Sequence, residues 1–313
     1  MERASSVPAI AGRRRLGLRR AARFGYRTKR RAFIYGGLLL PLLYFVGVRL
    51  YPILYSFNVS FREWELLSPE KPFVGLANYE SLLGDPDFLR SVANTLYYVA
   101  AGVPAQLATG LAVALLLRRI GRLRGLYRAA YFIPYITSIV AVSWVFRWIL
   151  MKNGVLNGLL LKLGLDAQPL LYSTSQAIHL VLATMVWQSV GFQMLVFLAG
   201  LENIPKEYEE AASIDGAGAW RRFFGVTLPL LRPVVLFSAV IAGIGYLQSF
   251  AQVLNMTSGG PLNSTSSIVL RVYDMAFKSF DMGRASAATV ILFVLILALT
   301  LIQWKALNRK IEH

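Results

Sequence analysis

EEAASIDGAGAWRRFFGVTLPLLRP, residues 209–233, separates two long apolar runs at about 175–199 and 233–253. It holds three acids, three arginines and two prolines. A charged side chain at the centre of a bilayer costs about 3 kcal/mol or more, so six of them keep this stretch in water. The flanking runs therefore read as membrane spans and the stretch as the loop that joins them.

Working outward, the whole chain fits that reading. Its 313 residues are 56% hydrophobic and only 16% charged, with a mean hydropathy of +0.52, too apolar for a water-soluble domain. A helix rises about 1.5 Å per residue and the hydrocarbon core is about 30 Å thick, so roughly 20 apolar residues cross it. Six stretches qualify, at about 33–56, 91–117, 128–150, 175–199, 233–253 and 284–304, the fifth diluted by Gly243, Gly245, Gln248, Ser249 and Gln252. The expected fold is an all-α membrane protein with six transmembrane helices over residues 33–305. A basic tail precedes it at 1–32 and a short tail follows at 306–313.

Loops rich in Lys and Arg stay cytoplasmic. Of the 33 basic residues, 23 fall in 1–32, 118–128, 200–232 and 305–313, against 7 in the alternate loops 57–90, 151–174 and 254–283. Both termini are thus expected in the cytoplasm, together with the 209–233 loop. Arg49, Arg147 and Arg284 sit near proposed outer ends, from which they snorkel. The tail GRRRLGLRRAARFGYRTKRR reads as a topology anchor held by anionic lipid and not as a nucleic-acid arm. Neither does it read as a secretory signal, because the apolar run behind it is too long and no small-residue cleavage site follows.

Several chemistries are excluded by what the chain lacks. It has no cysteine and only two histidines, His179 and His313, so thiolate chemistry is absent and a histidine metal site or triad is not expected. All 16 Asp and Glu residues fall in tails and loops, leaving no buried carboxylate for proton or sodium coupling. There is no G-x-x-x-x-G-K-[ST] phosphate loop, so the chain is not expected to be an enzyme that hydrolyses nucleotide. Energy for any transport is therefore expected to enter elsewhere.

The loop carries the features of a docking surface. Pro205 suits the first turn of a helix, and Glu207, Glu209 and Glu210 favour its positive N-terminal end. Asp215-Gly216 marks a bend, after which Trp220, Phe223 and Phe224 recur at helical spacing beside Arg221 and Arg222. A helix, a glycine-centred turn and a second short helix are expected.

The order Glu210-Ala211-Ala212, Gly216, Val226 and Leu228-Pro229 resembles the EAA loop of permeases in binding-protein-dependent ABC importers, with Val226 where isoleucine is commoner. FVGLANYESLLGDPDF at 73–88, Asn94-Thr95, FIPYITSIVAVSWVFRWI at 132–149, GVLN at 154–157, SGGP at 258–261 and GRASAATVILF at 283–293 resemble, in the same order, segments of the sugar-permease branch. The resemblance spans about residues 33–305. It implies that the loop is a coupling helix between helices 4 and 5, docked on a homodimer of cytoplasmic ATPase subunits that bind ATP and Mg, with no cofactor in this chain. It also implies a second, related permease and an extracytoplasmic sugar-binding protein, in the plasma membrane of a bacterium or archaeon. By the same analogy Glu210 contacts the ATPase, Ala211, Ala212 and Gly216 allow close approach, Asp215 holds the bend, and Leu228 and Pro229 complete the motif.

Gln188, Ser189, Phe192, Tyr246 and Ser249 match positions that line the sugar path in maltose-type permeases. Hydroxyl, amide and aromatic groups suit a neutral polyol, while the alternative is that they join helices. No basic residue sits mid-span, which favours a neutral saccharide over a glycerol phosphate or related polyol phosphate, the alternative cargo. An ion-coupled secondary carrier is a more remote alternative, lacking both a coupling-ion site and an inverted second half.

Overall fold

A computed structural model describes residues 26–307. The tail residues before 26 and after 307, on which the anchor reading and part of the topology argument fall, lie outside the described residues. Among the described residues the chain is almost wholly helical, with no strand and only two isolated bridges, Arg62 to Phe73 and Glu65 to Asp281.

Residues up to Leu54 form one unit and those from Tyr55 a second. The first contains α1 (Tyr26–Phe45), a π turn (Val46–Leu50) and the start of α2 (Tyr51–Val59). The π turn stands directly before Pro52, whose ring cannot sit against the carbonyl four residues back, so the helix widens instead of breaking.

In the second unit a short helix, α3 (Ala77–Leu83), leads to α4 (Pro86–Arg118). Asp85 caps α4, its carboxylate accepting from the N–H groups of Asp87 at 2.9 Å and Phe88 at 3.4 Å, with Pro86 at the first helical position. The long α8 (Ala177–Glu202) packs along α4. Between them in sequence come α5 (Arg124–Ile136), α6 (Ile139–Ile149) and α7 (Val155–Lys162). The expected straight span at 128–150 is instead bent by 92° at Thr137-Ser138, just beyond Pro134. Both residues adopt extended ψ values there, so the apolar run is one continuous sequence but two helices.

After α8 come α9 (Lys206–Ile214), α10 (Ala219–Arg222), a second π turn (Phe223–Thr227) directly before Pro229, and α11 (Leu228–Leu230). A 68° bend then leads into α12 (Arg232–Leu247), and residues Gln248–Phe250 separate it from α13 (Ala251–Met256). Two helices complete the chain, α14 (Ile268–Phe277) and α15 (Met282–Leu307). Among the described residues four helices are long and apolar enough to cross a bilayer alone, and counting each bent pair as one span brings the number to as many as six.

Two apolar clusters form the core. The smaller, at the 209–233 end, joins Ala114 and Leu117 of α4 to Met194, Phe197, Leu198 and Leu201 of α8, with Ile204 and Leu231. The larger gathers α4, α8, α12 and the segments from Val253 onward. In lipid such packing relies on close fit more than on expulsion of water. Gly191 shows how close: a Cβ there would overlap the carbonyl of Tyr131, so α5 lies backbone-to-backbone on α8.

Candidate functional site

The 209–233 loop folds as its proline and glycine require. Just ahead of the loop, Pro205 stands at the N-terminal boundary of α9, without a side-chain capping bond, and the helix runs to Ile214. Gly216 has φ +76°, and the N–H of Ala217 bonds the carbonyl of Ala212 at 2.9 Å while that of Gly216 bonds Ser213 at 3.1 Å. This is a Schellman ending, in which a left-handed residue is needed and glycine alone adopts it without strain. Glu210, Ala211 and Asp215 are exposed and Ala212 is half-buried. Leu228 and Pro229 are half-buried in α11. Trp220 is 77% exposed and stacks on Phe224, with ring centroids 5.9 Å apart, while Ile214 is 87% exposed. Large apolar side chains thus stand exposed in a polar loop.

Midway along the bundle, the helix breaks expose backbone carbonyls that apolar surroundings cannot satisfy. Gln188 of α8 donates through Nε2 to the carbonyl of Thr137, at the α5–α6 bend, at 3.2 Å. Its Oε1 accepts from Gln252 of α13 at 3.2 Å. One buried amide thus staples two broken spans together. The other residues assigned to a substrate path are placed differently. Ser189 donates to Met185 of its own helix at 2.9 Å, and Phe192 stacks on Tyr135 with centroids 5.0 Å apart. Tyr246, 5% exposed, lies against Gly102 of α4, and the buried hydroxyls of Tyr246 and Ser249 have no protein partner. The structure therefore shows Gln188 as a staple, Ser189 and Phe192 as half-buried α8 residues, and Tyr246 and Ser249 as carriers of unpaired buried hydroxyls.

A feature that the sequence reading quoted without assigning it a role is the turn around SGGP. Asn94 of α4 donates to the carbonyls of Asn263 at 2.9 Å and Ser266 at 3.0 Å, and Tyr98 donates to Thr265 at 2.9 Å. Thr95 accepts from the N–H of Ile268 at 3.0 Å. Asn94, Thr95 and Tyr98 share one face of a helix, and that i, i+1, i+4 polar set inside an apolar run was the available signal. Ser267 caps α14 through the Leu270 N–H at 3.2 Å and donates to the carbonyl of Ser249 at 2.6 Å, tying the turn to the α12–α13 break.

At this same end an ionic clip closes the bundle. Asp85 accepts from Arg271 of α14 at 3.2 Å and from Arg284 of α15 at 3.1 Å. Partial burial pushes its carboxyl up, but Arg271 and the two backbone N–H groups outweigh that and hold it below the usual range.

The described residues thus form a helical bundle with two broken spans and an exposed helical loop between α8 and α12. The chain belongs to the family of binding-protein-dependent transport system inner membrane components, which matches residues 86–313. It is 37% identical over 255 residues to the probable ABC transporter permease YesP of Bacillus subtilis, covering 80% of this chain and 82% of that one. It is 34% identical over 257 residues to the lactose transport system permease LacF of Rhizobium radiobacter, covering 80% and 86%. Its fold is shared with a chain of a bacterial ABC transporter that imports the acidic polysaccharide alginate, at a TM-score of 0.80 and 22% identity over 92% of this chain and 99% of that one.

Proposed function

We propose that this chain is one of two permeases in an ATP-driven importer of a carbohydrate, a neutral mono- or oligosaccharide, in a bacterial or archaeal plasma membrane. An extracytoplasmic binding protein delivers the cargo, and a pair of cytoplasmic ATPase subunits, binding ATP and Mg, switches the spans between inward- and outward-facing states. The observation that carries this reading is the exposed α9–α10 loop, in which Glu210, Asp215 and Gly216 stand free beside the Trp220–Phe224 stack. Such a surface gives a partner both a charge to pair and an apolar ridge to grip. The uncharged polar groups Tyr246 and Ser249 support a neutral saccharide.

Reconstituted importer carrying Glu210→Lys or Gly216→Pro should lose uptake at least tenfold with the permease still inserted, because both changes spoil the docking face and leave the spans intact. Persistent uptake with ATPase subunits still bound refutes the coupling role. A thermal-shift screen of the cognate binding protein against mono-, di- and oligosaccharides and glycerol phosphates identifies the cargo, since bound ligand stabilises by mass action. A phosphorylated hit refutes the neutral-sugar assignment.

A further inference from the structure

The helix on which coupling depends buries none of its own side chains. Ile204, just before it, is held in the apolar cluster with Leu117, Leu201 and Leu231, but from Lys206 to Ile214 no residue is buried. One face nevertheless turns inward: Glu209 and Ala212, three apart, are half-buried, while Glu210, Ala211 and Ser213 are exposed. Glu209 Oε1 accepts from Arg118 Nη1 at 2.7 Å, and Thr227 Oγ1 lies 3.5 Å from the same oxygen. Arg118 is the last residue of α4, and Thr227 ends the π turn that leads through α11 to α12. A single carboxylate oxygen therefore joins three elements. An open hollow of about 940 Å³ runs beside α9, and Arg118, Glu209 and Thr227 stand in its wall together with Leu116, Lys206 and Trp220.

We propose that the Glu209–Arg118 pair, with Thr227 beside it, is the tie through which movement of the coupling loop reaches α4 and α12. The proposal rests on the coupling role given to the loop above. Glu210 faces the partner, and its neighbour Glu209 faces the spans. A helix that buries no side chain of its own and meets α4 through this ion pair follows the bundle as closely as that contact holds. Both partners are 28% exposed, and ion pairs so placed add little to stability, so breaking this one should leave the fold intact and change what it conveys.

The absence of cysteine makes the test direct. Spin labels at Ala108→Cys on α4 and Tyr208→Cys on α9, both exposed, report the distance across the tie in the assembled importer, without nucleotide and after trapping with ATP and vanadate. With the tie intact the distance distribution should be the same in both states. In Arg118→Gln or Glu209→Gln it should shift on trapping by about 5 Å, the size of a one-turn slip. Combining Arg118→Glu with Glu209→Arg should restore the nucleotide-independent distance. A single variant whose distance ignores nucleotide, or a swap that fails to restore it, overturns the proposal. So does loss of ATPase co-purification from Arg118→Gln, which would make the pair part of the docking face. If Glu210→Lys and Gly216→Pro instead transport normally, the coupling role of the loop itself has failed.

Discussion

At position 191 a single hydrogen atom decides how α5 meets α8. Replacing Gly191 with alanine drives a methyl into the Tyr131 carbonyl, which cannot retreat without moving α5, so the cost is about 3 kcal/mol or more, at the upper end for overpacking. Thermal unfolding of Gly191→Ala in detergent should show a clearly lowered midpoint, and an unchanged midpoint would mean that the helices separate freely. Asp85 makes a different prediction. Its folded carboxyl titrates below the unfolded value of 3.8, so its contribution is fully present above that value and is lost as pH falls through the lower, folded one. The difference in midpoint between wild type and Asp85→Asn should be flat from about pH 5 to 8 and shrink only below about pH 4. A difference that fades between pH 5 and 6 would contradict the clip. The cap was legible in the sequence, since Asp85-Pro86 sits where a helix must start. The clip was not, because Arg271 and Arg284 lie nearly two hundred residues away.

At the scale of elements, the breaks in the spans carry most of the polar organisation. Apolar length revealed where helices cross, but the bend at Thr137-Ser138 left hydropathy unchanged and so escaped a reading built on it. Pro134 was the local sign, and the glutamine that satisfies the freed carbonyl comes from α8. The loop was more legible, because proline, Asp215 and Gly216 act through local backbone geometry. The direction of Glu209 was not, since it depends on the end of α4. Gln188→Leu and Gln252→Leu should each destabilise the chain, and a double-mutant cycle should return a coupling of about 0.6 kcal/mol, typical of polar contacts between membrane helices. Additive effects would show that the amide contact does not hold the two breaks together.

Taken whole, the molecule keeps its ionic contacts at its ends and its neutral ones in the middle. Arg118–Glu209 and the pairs of Arg124 and Arg128 with Glu202 lie at the loop end, and the Asp85 clip lies at the other. Family membership covers residues 86–313, which begin with α4, the helix whose cap joins the clip and whose last residue forms the tie. At about 1.5 Å per residue this 33-residue helix reaches about 50 Å, from one ionic cluster to the other. Between them the spans are pinned by Gln188, Gln252, Asn94 and Tyr98, none of which carries charge at neutral pH. A membrane voltage does about 2.3 kcal/mol of work per elementary charge per 100 mV, and only on charge that moves across it. Rearranging these amides and hydroxyls moves none, and the neutral cargo proposed above would add none. Uptake into proteoliposomes should therefore run at the same rate at zero and at 100 mV of imposed potassium diffusion potential, and a voltage-dependent rate would show that charge crosses with the cargo. Among the described residues, the side chains that pin the middle of the spans give such a voltage nothing to act on.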